Sequence, residues 1–280
     1  MAETLLRVQN VSFAYDGPEP RTQVLRDVSL TIAEGEFLAL IGRNGSGKTT
    51  LAKHLNGLLK PTSGRVLVGD VDTASVPVGE LARRVGYVFQ NPDHQLFLPT
   101  VRQEVTYGPA RLGVEEPELS SHVDETLARF DLTSVAERHP AVLGRGLRRL
   151  TALAAIYAMR PLVLVLDEPT GGLDRRFSDR LMEMLGGLAA AGNAIVLISH
   201  DMRLVAEYAQ RVVLVRDGQL AADTTPAEIF DQPEMLATTG VQPPQVARLA
   251  CELRPYGMPH GICTVDTFIG AYRALPERTS

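Results

Sequence analysis

The sequence predicts an α/β fold that combines a parallel sheet, an antiparallel β-subdomain and a helical subdomain. Strand and helix patterns alternate in the second half of the chain, which is typical of a parallel sheet covered by helices on both faces. The N-terminal segments instead alternate apolar and polar residues, as half-buried antiparallel strands do. Between about residues 98 and 160 the patterns are helical and no strong strand pattern occurs, which indicates an inserted helical subdomain.

The N-terminal part contains two kinds of strand pattern. LLRVQNVSFAY and VLRDVSLTI alternate, whereas Phe37 to Ile41 form a continuous apolar run that ends in glycine, the pattern of a strand buried on both faces. A helix is predicted next, with Leu51, Leu55 and Leu58 on one face. Two further strands are predicted in GRVLVGD and VGYVFQ.

After the helical insertion the strand–helix alternation resumes. The predicted elements are, in order, a strand in LVLVLDEPT, a helix around DRLMEMLGGLAAAG, a strand in NAIVLISH and a helix around MRLVAEYA. RVVLVRDGQLAA is predicted to be a β-hairpin with Asp217-Gly218 at its turn. The tail is richer in proline and glycine, so we divide the chain into a domain of residues 1–235 and a C-terminal extension, 236–280.

Composition narrows the classes of function. The chain has 280 residues, 45% of them hydrophobic, and a net charge of −5 without a basic tail, so nucleic acid is not an expected partner. No apolar run approaches the roughly eighteen residues of a membrane span, and the first residues lack a signal-peptide pattern. Cys251 and Cys263, with His260 between them, form no disulfide framework or zinc pattern, and we expect two free thiols.

GRNGSGKTT, residues 42–50, is the most specific motif in the chain. It matches the phosphate-binding pattern G-x-x-x-x-G-K-[ST] and lies between a predicted buried strand and a helix, as the motif requires. Its glycines allow backbone N–H groups to surround a phosphate, to which the helix start adds its dipole. Lys48 is predicted to reach the β- and γ-phosphates, and the Thr49 hydroxyl to bind Mg²⁺. The candidate binding residues here are Gly42, Arg43, Asn44, Gly45, Ser46, Gly47, Lys48, Thr49 and Thr50.

LVLVLDEPT supplies the second part of the predicted site. Asp167 lies at the C-terminal end of a predicted parallel strand, the edge at which ligands bind in open α/β sheets. Its carboxylate is placed to hold the Mg²⁺ complex, as the second acid of P-loop ATPases does. Glu168 follows and is placed to orient a water, or to accept its proton, during attack on the γ-phosphate. The alternative for Glu168 is a solvated acid at a helix start.

Together, GRNGSGKTT and LDEPTGGLD resemble the ATP-binding-cassette (ABC) family, over about residues 4–230 and with the motifs in the family's order. The resemblance implies the P-loop NTPase fold of the RecA-like type, ATP hydrolysis, and ATP and Mg²⁺ as cofactors. It also implies that Tyr15 stacks on adenine and that Gln90 joins Mg²⁺ and water to a transport partner. His200 then contacts the γ-phosphate, and Asp174 belongs to a loop at the dimer interface. Taken singly, Tyr15 could equally be a core residue, Gln90 a polar strand cap and His200 structural.

VGYVFQNPDHQLF carries a narrower resemblance, to the ATPases of energy-coupling-factor importers, which take up vitamins and transition-metal ions. In that subfamily a short helix after the glutamine faces the membrane partner, and Gln95 and Phe97 would lie on it. VQPPQVARLACEL resembles the subfamily's C-terminal extension, which helps two ATPase chains hold together. The resemblance therefore implies a peripheral protein at the cytoplasmic face of the cell membrane. Its partners would be a second ATPase subunit, a membrane scaffold subunit and a substrate-binding membrane subunit.

One family motif is degenerate. Where the family reads L-S-G-G-Q, the register of the following helix gives Leu143, Gly144, Arg145, Gly146 and Leu147. Gly144 stands in place of the family's serine, so a hydroxyl donor is lost. Such a loss typically costs about 100- to 1,000-fold in the rate of the reaction. Arg145 acting as an arginine finger is the alternative. We favour it less, because the neighbouring Arg148 and Arg149 indicate loose positive charge.

The degenerate motif bears on the predicted assembly. In the family, each ATP lies between the phosphate loop of one chain and the signature motif of the other, so a homodimer of this chain would have two weak sites. A heterodimer with an intact partner is therefore favoured. In it the competent site is built by Lys48, Asp167, Glu168 and His200, and the 143–147 segment closes a weak site. The alternatives are a regulatory nucleotide-binding module, the ATPase of another ABC importer class, and a soluble ABC ATPase in repair or translation.

Overall fold

The computed structural model describes residues 3–16 and 22–275. The strands are β1 (Thr4–Ala14), β2 (Gln23–Ala33), β3 (Phe37–Ile41), β4 (Ser63–Val68), β5 (Val71–Asp72), β6 (Val85–Val88), β7 (Val163–Asp167), β8 (Ala194–Ile198), β9 (Arg211–Arg216) and β10 (Gln219–Thr224). The helices are α1 (Lys48–Leu55), α2 (Val78–Leu81), α3 (Val101–Arg111), α4 (Glu118–Arg129), α5 (Arg145–Tyr157), α6 (Arg175–Ala190), α7 (Met202–Tyr208), α8 (Pro226–Phe230), α9 (Pro233–Ala237), α10 (Gln245–Glu252) and α11 (Val265–Arg273).

The strands form two sheets, as predicted. The smaller sheet is antiparallel, in the order β2-β1-β4-β5. The larger has the order β10-β9-β3-β8-β7-β6, and all its strands are parallel except β10, which pairs antiparallel with β9. Asp217 and Gly218 join β9 to β10 with φ of 50° and 80°, the positive values that a two-residue hairpin turn requires. Helices α3, α4 and α5 fill the predicted helical subdomain.

The central strands of the large sheet are buried on both faces. Every residue of β3, β7 and β8 is buried, and alternate side chains point to opposite faces. Leu38 and Leu40 pack in a cluster with the small sheet and α1, whereas Leu164 and Leu166 pack with α5 and α6 on the other face. The parallel strands therefore hold their C-terminal ends in fixed positions at one edge.

Helix α1 is shorter than the predicted apolar face. It ends at Leu55, and Leu58 lies beyond it with 40% of its surface exposed, so its predicted place on the helix is wrong. Gly57 follows the helix with φ of 73°, a left-handed conformation typical of the residue that terminates a helix.

The C-terminal extension is anchored on the domain. The predicted boundary at 235/236 falls inside α9 and stays a prediction. Leu236, Val241 and Cys263 belong to the same apolar cluster as Ile41 of β3. Residues 276–280 of the extension lie outside the described residues. Within the parts of the chain that are described, no helix has the length and apolar character needed to span a membrane.

Candidate functional site

The phosphate loop lies between β3 and α1. Its glycines adopt the left-handed conformations that favour this residue, and Gly42 has φ of 144°. A Cβ on Gly42 would lie 2.2 Å from the carbonyl oxygen of Val215, so a side chain has no room there. Gly47 is the N-cap of α1 with φ of 108°. The loop therefore brings its backbone close to the start of a helix, as a phosphate site requires.

Lys48, the first residue of α1, is folded over this loop. Its side chain is buried, and its ammonium donates to the carbonyl oxygens of Gly42, at 2.8 Å, and Arg43, at 3.0 Å. Burial lowers the pKa of Lys48, while the charges of Glu168 and Asp167 act in the opposite direction. A cation held in this position can transfer its hydrogen bonds to an incoming phosphate.

Asp167 ends β7 beside the loop, where two hydroxyl groups hold its carboxylate. The Thr49 hydroxyl donates to Oδ1 at 3.4 Å, and the Tyr87 hydroxyl donates to Oδ2 at 3.1 Å. Tyr87 was not among the site residues predicted from the sequence, although its place in the predicted strand VGYVFQ, just before Gln90, could have indicated it. Burial and the charge of Asp167 raise the pKa of Tyr87, so its hydroxyl remains a donor.

Glu168 follows Asp167 in a strained conformation, with φ of 49°. Its side chain is only 15% exposed, and burial raises its pKa from 4.5 to about 7. His200 Nε2 lies 3.2 Å from Glu168 Oε1, a distance at which a protonated imidazole would form an ion pair, although Oε1 accepts no hydrogen bond from the described residues. Burial lowers the pKa of His200, so the neutral imidazole is favoured. A carboxylate with a pKa near neutrality is suited to accept a proton from water.

One cavity of about 590 Å³ joins these groups. It is lined by Tyr15, Val24, Asn44, Gly45, Gly47, Lys48, Thr49, Thr50, Gln90, Asp167, Glu168, Ile198 and His200. The fold thus brings together residues separated by up to 185 positions, 15 to 200, at the carboxyl edge of the parallel strands. Gly42, Arg43 and Ser46 belong to the loop but do not line this cavity.

Tyr15 follows β1 and stands at the side of this cavity. It is 46% exposed, its hydroxyl lies 3.1 Å from Thr50 Oγ1, and its ring meets that of Phe13 edge-on at 4.9 Å. These contacts fix the ring while part of it stays free. A fixed, partly exposed aromatic ring is suited to stack on a planar base.

The residues present fit a nucleoside triphosphate with Mg²⁺. Thr49 and Asp167 offer the hard oxygen ligands that Mg²⁺ prefers. Among residues 3–16 and 22–275, no group of three or more His, Cys, Asp or Glu side chains could hold a metal ion by itself. Mg²⁺ usually binds through one or two carboxylates together with substrate phosphates and water, which agrees with this ligand set.

The degenerate signature segment lies at the start of α5, apart from this cavity. Gly144 is the N-cap of α5, and Leu143 and Leu147 turn into the apolar cluster shared with α6. A Cβ on Gly146 would lie 2.5 Å from the ring of Phe177. Arg145 is exposed and lines a separate cavity of about 460 Å³. In its own chain, therefore, the segment does not line the predicted nucleotide site.

The expectation that Arg148 and Arg149 carry loose positive charge is wrong. Arg148 forms an ion pair with Asp93. Arg149 is buried and donates to the backbone carbonyls of Phe89, Gln90 and Gly171. A guanidinium cannot be buried without such partners, because its desolvation would cost too much. The structure thus removes the reason for discounting Arg145 on account of its neighbours.

The prediction that Gln95 and Phe97 lie on a short helix is also wrong. A 3₁₀ turn covers only Pro92–His94, and both residues follow it. The Gln95 amide donates to the carbonyl oxygen of Ala152 at 2.6 Å, so this side chain links its own segment to α5 within the chain. Phe97 is 66% exposed and meets Tyr107 edge-on, so it alone of the pair faces solvent.

Asp174 is the N-cap of α6. Its carboxylate accepts a hydrogen bond from the backbone N–H of Phe177 at 2.8 Å, and such caps typically contribute about 1 kcal/mol. This capping contact stabilises the helix, which by itself is enough to explain why an aspartate stands at this position. The predicted place of Asp174 at a dimer interface stays a prediction.

The glycine-rich loop after one buried strand and the carboxylate at the end of another define a P-loop nucleotide-binding protein. The family model described as ABC transporter matches residues 25–171. The chain belongs to this family, and the predicted family and fold class are confirmed.

Similarity to known proteins supports the membership of this family. The chain is 42% identical over 257 residues to an ABC transporter ATP-binding protein of Methanosarcina mazei; the match covers 91% of this chain but only 44% of that protein's length. It is 41% identical over 258 residues to the energy-coupling factor transporter ATP-binding protein EcfA2 of Symbiobacterium thermophilum, covering 90% of each chain. The solved structure of CbiO1 from Clostridium perfringens, part of the ABC transporter complex CbiONQ, superposes with a TM-score of 0.75 at 30% identity, covering 88% of this chain and 98% of that one.

Proposed function

We propose that this chain is the ATP-binding and ATP-hydrolysing subunit of an importer of the energy-coupling-factor type, which takes up a vitamin or a transition-metal ion. The observation that carries the proposal is the single cavity in which the phosphate loop, Asp167, Glu168 and His200 meet. The likeness to an energy-coupling factor ATPase and to CbiO1, over most of the length of each, supports the importer type.

The side chains have distinct tasks in the proposed hydrolysis. Lys48 and the loop N–H groups hold the β- and γ-phosphates, and the Thr49 hydroxyl and Asp167 would hold Mg²⁺. When bound, Mg²⁺ neutralises charge on the phosphate oxygens. Glu168 accepts a proton from the water that attacks the γ-phosphorus, while the bond from the γ-phosphorus to the β,γ-bridging oxygen breaks and ADP leaves. His200 lies beside Glu168 to contact the γ-phosphate. Gln90 lines the cavity and links it to the segment that leads to Phe97.

We infer that a second ATPase subunit completes the site. The signature segment of this chain does not line its own nucleotide cavity, so a partner has to supply that contact. Gly144 has no hydroxyl and Arg145 is bulky, which favours a heterodimer with two unequal sites over a homodimer. Helix α11 presents Val265, Ile269 and Tyr272 at the surface, and this apolar face supports a role of the extension in holding the two subunits together.

The membrane partners are proposed on separate grounds. Phe97, on the segment after Gln90, and Tyr107 of α3 form an exposed aromatic pair, and this surface suits a contact with a membrane scaffold subunit. A substrate-binding membrane subunit would complete the importer. The chain would then work as a peripheral protein at the cytoplasmic face of the cell membrane.

A pull-down from native membranes with this chain as bait tests the assembly. We expect a second ATPase and a small transmembrane scaffold in the eluate, and ATP turnover that rises strongly over that of the isolated chain. Brisk turnover by the isolated homodimer would contradict the heterodimer. Recovery of soluble partners alone would contradict the importer and favour a soluble ABC ATPase.

Glu168→Gln tests the catalytic assignment in the purified assembly. The variant should bind ATP, hold the closed dimer and lose about 100- to 10,000-fold in phosphate release. Unchanged turnover would refute the task given to Glu168. A wild-type assembly that binds ATP but releases no phosphate would favour the second candidate function, a regulatory nucleotide-binding module, which the degenerate signature also favours.

A further inference from the structure

Arg149 connects three segments that lie far apart in the sequence. It stands in the second turn of α5, just after the signature segment. One terminal nitrogen, Nη1, donates to the carbonyl oxygens of Phe89, at 3.3 Å, and Gln90. The other, Nη2, donates to the carbonyl oxygen of Gly171 at 3.2 Å. The same guanidinium therefore holds α5, the Gln90 segment and the loop that follows Glu168.

The chemistry of this contact is unusual for an arginine. Arg149 is 6% exposed, and none of its contacts within the described residues is an ion pair; its hydrogen-bond partners are all carbonyls. A planar guanidinium presents its donors in a rigid fork, which suits several carbonyls at once, whereas an ammonium is a compact point donor. The neighbouring Arg148 provides a contrast, because it is half-buried and pairs with Asp93.

The three held segments have different relations to the nucleotide cavity. Gln90 and Glu168 line it, whereas no residue of α5 does. A change at Gln90 on nucleotide binding can reach α5 through a carbonyl that Arg149 holds. The loop beyond Glu168 is held through Gly171, whose backbone N–H also donates to the Glu168 carbonyl at 3.2 Å.

We propose that Arg149 is a positioning residue that couples nucleotide binding to the signature segment, by clamping α5 to the backbone of Gln90 and Gly171. The proposal rests on the proposed function in one respect, since it requires that this cavity bind nucleotide. It assigns no contact between Arg149 and the nucleotide. The clamp moves the start of α5, which carries Arg145 and Gly146, when the Gln90 segment moves.

Hydrogen–deuterium exchange of the full chain tests the coupling without any partner subunit. Amide exchange across residues 145–151 is measured with and without Mg²⁺ and a non-hydrolysable ATP analogue. In the wild-type chain we expect nucleotide to change these rates by about fivefold or more, the lower end of typical coupling between sites. In Arg149→Met the change should fall below about twofold.

Two further variants show whether the forked contact with the carbonyls carries the coupling. Arg148→Met removes a neighbouring arginine that pairs with Asp93 and donates to none of the three carbonyls, so it should keep the wild-type exchange response. Arg149→Lys keeps the positive charge but has one compact donor group, so it should lose the response as the methionine variant does. Its nucleotide affinity by calorimetry should equal that of the wild type within about twofold, because Arg149 does not line the cavity and its charge on Glu168 is kept. This variant also keeps the proposal testable if Arg149→Met fails to fold.

The outcomes distinguish this proposal from the proposed function. A wild-type response that persists in Arg149→Met or in Arg149→Lys would overturn the clamp and leave the nucleotide site standing. Loss of nucleotide affinity in Arg149→Lys would show that Arg149 belongs to the binding site, and would overturn the positioning assignment. Failure of the wild-type chain to bind the analogue would contradict the proposed function itself, and the coupling with it.

Discussion

The buried carboxylate of Glu168 should reduce the stability of the protein at alkaline pH. Its side chain is 15% exposed, and burial raises its pKa from 4.5 to about 7. The backbone N–H of His200, together with Lys48 and Arg149, favours the charged form but does not outweigh burial and the charge of Asp167. Glu168→Gln replaces this group with a neutral one of nearly the same shape, so we expect the variant to be more stable than the wild type at high pH.

The sign and size of this difference in stability follow from proton binding to Glu168. Below about pH 4.5 the carboxyl group is protonated in both the folded and the unfolded chain, and no penalty exists. Between 4.5 and about 7 the folded chain keeps a proton that the unfolded chain releases, so stability falls as pH rises. Above about pH 7 this loss in the free energy of unfolding is constant, and the pKa shift of Glu168 corresponds to roughly 3 kcal/mol. The variant should gain up to this amount at pH 8.5 and almost nothing at pH 4.5.

Urea unfolding followed by circular dichroism measures the difference, without Mg²⁺ or nucleotide, at several pH values from 4.5 to 8.5. Glu183→Gln is a matched control, because Glu183 is exposed on α6 and its replacement should change stability by less than about 0.5 kcal/mol at any pH. A gain from Glu168→Gln that does not depend on pH would refute the reasoning. Equal stability of wild type and variant at pH 8.5 would refute it as well.

Three other substitutions give separable results. Tyr15→Ala removes a stacking ring and should weaken ATP binding by about 1–3 kcal/mol, which calorimetry measures; an unchanged affinity would remove Tyr15 from the site. Tyr87→Phe leaves Oδ2 of Asp167 without its hydroxyl donor. It should lower the free energy of unfolding in urea by about 1–3 kcal/mol and weaken Mg²⁺-dependent ATP binding. The absence of both effects would contradict the hydrogen bond. Gly146→Ala places a methyl group against Phe177 and should destabilise the chain by about 1–3 kcal/mol, and a melting temperature equal to that of the wild type would contradict the contact.

Much of the fold and part of the candidate site could be predicted from local patterns. The continuous apolar run Phe37–Ile41 predicted a strand buried on both faces, and β3 is buried throughout. Asp217-Gly218 predicted the hairpin turn, because few residue pairs tolerate two positive φ values. Asp167 and Glu168 could be placed at the carboxyl edge of the sheet, since Asp167 ends a buried parallel strand and Glu168 follows it directly.

Side-chain partners could not be predicted in this way. Three neighbouring arginines look alike in the sequence, yet Arg145 is exposed, Arg148 pairs with an acid, and Arg149 is buried among carbonyls. Gln95 was expected on an exposed helix, but its amide reaches the backbone of α5. Each of these outcomes depends on which distant segment approaches the side chain.

By itself, the sequence determined the strands and helices of this protein and the reactive residues at the strand ends, because apolar periodicity and the conformational range of glycine act within a few residues. Only the tertiary structure decided that Tyr87 holds Asp167 and that Arg149 joins three segments. The physical reason is desolvation. A buried polar group must find its partners among the groups that the fold brings near, and these can lie far away in the chain, as Asp167 lies 80 positions from Tyr87.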